Sequence, residues 1–144
     1  MISYLLALLV GVLLSGLWIY SSRYYPKWEK EIFGYSLVLA GVIYVFFGFI
    51  ESTAPSSMIP EALVRVGFIA LALVGLKGSL LALGFGWICH GIWDVSAPVV
   101  VDVSYVPWYL EPTCVGFDFI VGVYLIMRAR DRFPSNNGTG VGSA

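Results

Sequence analysis

Charged side chains are scarce in this sequence, and their scarcity excludes most classes of soluble protein. Only 12% of the 144 residues are Asp, Glu, Lys or Arg, whereas 59% are hydrophobic and the mean hydropathy is +0.87. Soluble domains carry about 25% charged residues. The formal net charge of −1 also leaves no basic surface of the kind that nucleic-acid binding requires. The composition therefore predicts an integral membrane protein whose surroundings are the lipid bilayer and which does not bind nucleic acid.

Histidine and cysteine are rare as well. The single histidine disfavours zinc sites built from several His ligands, and no H-E-x-x-H motif occurs. Two cysteines are too few for a disulfide scaffold. We expect Cys89 and Cys114 to be buried small residues rather than reactive thiols.

Long uncharged runs fill most of the chain. A bilayer crossing needs about 20 apolar residues, and the turn-forming segment Gly75–Ser79 divides a run that is too long for one crossing. Pro98 is expected to end the fourth span. The sequence predicts an all-α membrane bundle in one domain, residues 1–133, followed by a disordered tail, residues 134–144. Its five predicted spans are Ile2–Tyr20, Ile32–Ile50, Glu61–Leu76, Leu80–Ala97 and Thr113–Met127.

Basic residues predict the orientation, because Lys and Arg accumulate on the cytoplasmic side of short loops. With five spans, only Arg65 falls on the opposite side from the other seven. The amino terminus is therefore predicted outside and the carboxyl terminus in the cytoplasm. The seven residues on the predicted cytoplasmic side are Arg23, Lys27, Lys30, Lys77, Arg128, Arg130 and Arg132.

The most informative polar residues lie inside the predicted spans. A charged Asp near the centre of a membrane helix costs about 2.5 to 3.5 kcal/mol, so Asp94 and Asp118 each need a partner. His90 and Asp94 share one face of the fourth span, and Cys114 and Asp118 share one face of the fifth. Both faces are expected to meet in one outward-facing cavity.

Three interpretations of these residues stay open. In the first, Asp94 has only a structural role and orients a neutral His90, or Arg65 neutralises an aspartate within the bundle. Alternatively, the group could bind a proton, a cation or a polar ligand. In a third interpretation the group binds a transition metal as a cofactor, although a single histidine disfavours such a site. The predicted binding residues are Glu51, Arg65, His90, Trp93, Asp94, Trp108 and Asp118; the candidate metal ligands are His90, Asp94, Cys114 and Asp118; the candidate catalytic residues are His90 and Asp94.

Glycines and aromatic residues surround the same segment. We expect Gly84, Gly86 and Gly91 to allow close helix approach, as small residues do in membrane bundles. The aromatic residues Trp93 and Trp108 favour an interfacial belt, or else a wall for a lipid-like ligand.

One stretch of the chain is similar to a known family. The segment Gly86-Trp87-Ile88-Cys89-His90-Gly91-Ile92-Trp93-Asp94, the loop Pro107-Trp108-Tyr109 and the segment Cys114-Val115-Gly116-Phe117-Asp118 resemble small bacterial polytopic membrane proteins with a G-W-x-x-H-x-x-W-D segment and no characterised activity. The resemblance covers residues 86–118 and implies that these polar and aromatic residues form one constellation in a bacterial inner membrane protein. A further histidine of that family is absent here, where Val95 to Pro98 stand.

Three functions follow in order of preference. The small size and short loops favour a non-catalytic subunit or accessory protein of a membrane complex, so we expect a membrane-protein partner or a homo-oligomer. The His90–Asp94 pair also fits a membrane enzyme, with or without a metal, that acts on a lipid-like or hydrophobic substrate. A proton-linked carrier is third, since no internal repeat of the kind that transporters often display is present.

Overall fold

The structure is a computed structural model that describes residues 1–51, 55–101 and 103–132. Within these residues every regular element is helical, and five α-helices are long and apolar enough to cross a membrane. The predicted disordered tail and Asp102 lie outside the described residues. The helices are α1 (Ile2–Tyr24), α2 (Glu29–Ile50), α3 (Pro55–Leu76), α4 (Leu80–Val100) and α5 (Leu110–Asp131), with one 3₁₀ turn (Pro26–Trp28) between α1 and α2.

The helices match the thickness of a bilayer. Each has 21 to 23 residues, and at 1.5 Å per residue such a helix is about 32 to 35 Å long, slightly more than the roughly 30 Å hydrocarbon core. The predicted helical fold is confirmed, with five helices that are long and apolar enough to cross a membrane. The prediction that Pro98 ends the fourth span is wrong, because α4 runs three residues beyond Ala97 and the Val101 N–H still bonds the Ala97 carbonyl at 2.8 Å.

The order in which the helices pack differs from their order along the chain. The most extensive interfaces join α4 to α5 and α1 to α5, followed by α2 to α3 and α3 to α4, whereas α1 and α2 touch little. The first helix therefore docks on the last one. Half of the α4 span is buried but only 17% of the α1 span, so α4 is the central helix and α1 lies at the edge.

Glycines bring these helices close together, as predicted. A Cβ added at Gly84 would lie 2.7 Å from the Ile126 side chain and 3.0 Å from the Gly122 carbonyl oxygen on α5. Gly11 of α1 and Gly116 of α5 meet the backbone of the partner helix in the same way. Small residues thus permit backbone contact where lipid supplies no hydrophobic driving force.

A tight turn joins α3 to α4, which confirms the predicted hairpin. Gly78 has φ of +141°, a conformation that L side chains rarely adopt. The next residue, Ser79, caps α4 by accepting a hydrogen bond from the Ala82 N–H at 3.1 Å.

At one end of the bundle, Glu29 connects α2 to α5. Its carboxylate accepts hydrogen bonds from Arg128 at 3.2 Å and from Arg132 at 2.5 Å, and the Tyr124 hydroxyl donates to it at 3.2 Å. The beginning of α2 and the end of α5 therefore lie side by side, together with two clusters of basic residues. This contact was not predicted, because nothing in the sequence distinguishes Glu29 from the other acidic residues of the loops.

Candidate functional site

Five ionisable side chains from three helices meet between the middle of the bundle and its opposite end. Each is at most 2% exposed. They lie about 9 to 15 Å along their helices from the end where residues 101–109 connect α4 to α5, since helices rise about 1.5 Å per residue. We call this group the polar centre: Glu61 and Arg65 on α3, His90 and Asp94 on α4, and Asp118 on α5.

The imidazole of His90 is bonded on both sides. Its Nδ1 lies 2.7 Å from Oδ2 of Asp118, and its Nε2 lies 2.6 Å from Nη1 of Arg65. A guanidinium can only donate, so Nε2 must be the acceptor and the ring proton must lie on Nδ1, where it is donated to Asp118. The geometry therefore requires a neutral His90 with a defined tautomer.

Gly91 makes the bond between His90 and Asp118 possible. A Cβ at this position would lie 3.1 Å from the Cβ of Asp118 and 3.3 Å from the ring of Phe119. Any larger side chain would press against α5 at the level where Asp118 reaches the imidazole.

Arg65 is the hub of the group. Its Nε and Nη2 both donate to Oε1 of Glu61, the Nε bond measuring 2.7 Å, and Nη2 lies 3.4 Å from Oδ1 of Asp94. The guanidinium also stacks over the ring of Tyr44, 4.1 Å from its centroid, a cation–π contact that strengthens when water is excluded. The other oxygen of Glu61 accepts from the indole N–H of Trp93 at 3.0 Å.

Aromatic rings enclose the imidazole. The ring centroid of His90 lies 5.0 Å from Phe68, 6.2 Å from Trp87 and 6.5 Å from Tyr44. These rings keep water from the imidazole, so electrostatic interactions inside the polar centre are strong.

Asp94 is bonded less completely than its neighbours. Its Oδ2 lies 3.6 Å from Nδ1 of His90, which is too long for a hydrogen bond. Among the described residues, neither this oxygen nor the buried Tyr44 hydroxyl has a hydrogen-bond partner. Both residues line a cavity of about 40 Å³ that reaches Trp108 and Glu111, enough room for about one water molecule.

The structure brings most of the predicted residues together. His90, Asp94, Asp118 and Arg65 are in direct contact, and Trp93 joins them through Glu61. The imidazole bonds Asp118 rather than Asp94, although Asp94 is its neighbour on the same helix face.

Three predicted residues lie farther out. Trp108 is 64% exposed and reaches the group only through the cavity beside Asp94. Cys114 is partly buried and lines an apolar crevice of about 190 Å³ with Asp118. Glu51 is exposed at the end of α2, and no hydrogen bond or ion pair within the described ranges joins it to the polar centre. The prediction that Cys89 is buried is wrong, because it lies on an exposed face of α4.

Two residues that contact Arg65 were not among the predicted site residues. The i, i+4 spacing of Glu61 and Arg65 predicts that they pair on one helix face, and the structure confirms this pair, but Glu61 was not assigned to the site. Nothing in the sequence distinguished Tyr44 from the other tyrosines, because its role depends on how α2 packs against α3.

The polar centre contains a possible metal-binding group. His90, Asp94 and Asp118 each offer a ligand atom, and these atoms lie within 4.8 Å of one another. The ligand atom of His90 on this side is Nδ1, which carries the ring proton in the arrangement described above. A metal there would require Nε2 to take the proton and Arg65 to move away, because two donors cannot face each other.

Comparisons of the chain with protein-family models, with curated proteins and with solved structures gave no match. The resemblance of residues 86–118 to a bacterial membrane family stays a prediction.

Proposed function

We propose that this protein is a small subunit of a membrane complex whose polar centre binds protons. The observation that carries the proposal is a charge imbalance: three buried carboxyl groups surround one guanidinium and a neutral imidazole. If all three were ionised, the group would hold two excess negative charges in a water-poor interior, which is costly without a compensating cation. Protons on the aspartates supply that compensation where the adjoining space admits only about one water molecule.

The proposed orientation places the polar centre on the non-cytoplasmic side, with the amino terminus outside and the carboxyl terminus in the cytoplasm. In support, the contact of Glu29 with Arg128 and Arg132 brings the α1–α2 turn beside the end of α5. Lys77 follows the end of α3, and because successive helices run in opposite directions it lies at the same end of the bundle. The basic residues that set the orientation of short loops therefore gather at one end, and the polar centre lies between the middle of the bundle and the other end. A bacterial inner membrane is the proposed location.

The hydrogen bonding of His90 favours a subunit over a self-contained enzyme. Both ring nitrogens of His90 are engaged, so the ring lacks a free lone pair with which to act as a general base. The group is also sealed, and the cavity beside it is far smaller than the roughly 300 to 1,000 Å³ of ligand pockets.

Infrared spectroscopy tests proton binding directly. We expect protein in liposomes at neutral pH to show the carbonyl band of a protonated carboxyl group, and the band to decrease in Asp94→Asn or Asp118→Asn. Asp131→Asn is the matched control, because Asp131 is exposed at the end of α5, and it should leave the band unchanged. A wild-type protein without this band would contradict proton binding.

A separate measurement, of the oligomeric state, tests the proposed subunit role. Native mass spectrometry of protein extracted from its own membrane should show a stoichiometric membrane-protein partner or a homo-oligomer, and His90→Ala should weaken that assembly. A wild-type protein that stays monomeric at all concentrations would contradict the subunit role.

A metal-dependent membrane enzyme is the second candidate, favoured by the 4.8 Å grouping of His90, Asp94 and Asp118. Elemental analysis of the wild type and of His90→Ala separates the two proposals. Stoichiometric metal that disappears in the variant would favour the enzyme and contradict the tautomer derived above.

A further inference from the structure

A second site lies away from the polar centre, in a cleft between α1 and α2. The two helices diverge after the turn at Pro26–Trp28 and leave a space of about 720 Å³, within the size range of ligand sites. The Trp18 indole N–H donates to Ser36 Oγ at 2.8 Å across its floor. The walls are mainly apolar and aromatic: Leu17, Trp18, Tyr25, Trp28, Ile32 and Tyr35.

The cleft has a depth that suits an acyl chain. Trp18 and Ser36 also line the 190 Å³ crevice that continues past Leu14 and Leu39 toward Leu110. The two spaces together follow α1 and α2 along their length, and both helices are membrane-spanning by length and composition. Lipid is therefore the medium that meets this cleft.

A carboxylate lies at the end of the cleft next to the turn. Glu31 lines it together with Tyr25 and Trp28, aromatic residues of the kinds that are enriched at the headgroup level. The Oε2 atom of Glu31 is buried and has no hydrogen-bond partner among the described residues. A buried carboxylate oxygen without a donor is costly, so this position fits a cationic donor from outside the chain.

We propose that the α1–α2 cleft binds a phospholipid with a primary ammonium headgroup. One acyl chain lies against Leu17, Trp18 and Ile32, and the ammonium N–H groups donate to Glu31. Lys27 and Lys30 precede Glu31 in the sequence and supply positive charge for the phosphate that adjoins the ammonium of such a lipid. A quaternary choline headgroup has no N–H donor and cannot make the bond to Glu31.

The test measures lipid binding to purified, delipidated full-length protein by native mass spectrometry. Dioleoyl phosphatidylethanolamine should bind about tenfold more tightly than dioleoyl phosphatidylcholine, the scale of one charge-assisted hydrogen bond. Glu31→Leu should remove this preference while leaving the binding of both lipids measurable. Equal affinity of the wild type for the two lipids would overturn the headgroup assignment.

A second pair of variants tests the cleft itself. Ser21→Phe places a ring in the cleft and should reduce the binding of both lipids. Leu13→Phe also places a ring on α1, on an exposed face outside the cleft, and should have no effect. Unchanged binding in Ser21→Phe, or a protein partner crosslinked into the cleft in place of lipid, would overturn the proposal. Neither variant lies in the polar centre. A negative result for lipid binding would therefore not contradict the proposed proton binding, which the infrared experiment tests separately.

Discussion

Arg65 is the residue on which the polar centre depends most. It is the buried cation of the described part of the chain and contacts Glu61, His90, Asp94 and Tyr44 at once. In one of the interpretations that the sequence leaves open, Arg65 neutralises an aspartate, and in the structure its Nη2 lies 3.4 Å from Oδ1 of Asp94. Its bond to the imidazole was not predicted, because it depends on how α3 rotates against α4.

Replacing Arg65 should destabilise the protein severely. In Arg65→Leu the three carboxyl groups lose their guanidinium, and we expect a loss of about 3 to 5 kcal/mol, as when one partner of a buried ion pair is removed. Arg130→Leu is the matched control, since Arg130 is exposed at the end of α5, and should change stability by less than about 0.5 kcal/mol. Unfolding measured in detergent compares the two. Similar stabilities would show that Arg65 is not the hub of the centre.

The tautomer of His90 is a second prediction at this scale. Because the chain has one histidine, the ¹⁵N NMR spectrum of histidine-labelled protein reports this ring alone. We expect the neutral form protonated at Nδ1, since Arg65 donates to Nε2. A proton on Nε2, or a doubly protonated ring, would show that the Arg65–His90 bond is not formed.

At the scale of the helices, hydropathy predicted most of what the structure contains. All five spans were located correctly, because an apolar run of bilayer length has few alternatives to a helix. The ends were less accurate, as α4 continues through Pro98 and α5 begins before Pro112. The pairing of α1 with α5 was not predictable, since glycines such as Gly11 and Gly116 indicate a contact surface without naming its partner.

The close contact of α4 with α5 should not tolerate a larger residue at Gly84. A Leu at this position would meet the backbone of Gly122 and the side chain of Ile126, so we expect a destabilisation of about 1 to 3 kcal/mol, typical of overpacking. Gly16→Leu is the control, because a Cβ at Gly16 meets nothing within 4 Å. Equal unfolding temperatures of the two variants would contradict close packing at this interface.

At the scale of the whole molecule, the proposed orientation makes the two ends of the bundle chemically distinct. In a variant with Cys89 and Cys114 replaced by Ala, single cysteines at Lys77 and at Val103 mark opposite ends. A membrane-impermeant maleimide added to intact cells should label Val103→Cys and not Lys77→Cys. Labelling of Lys77→Cys alone would reverse the orientation and move the polar centre to the cytoplasmic half.

The docking of α1 on α5 has a consequence for biosynthesis. Helices enter the bilayer in the order of translation, so α1 waits beside an incomplete protein until the last helix leaves the ribosome. Until then the glycine face of α1 is uncovered, and His90 lacks the carboxylate that α5 brings to its ring. A chain interrupted before α5 would leave both features without their partners.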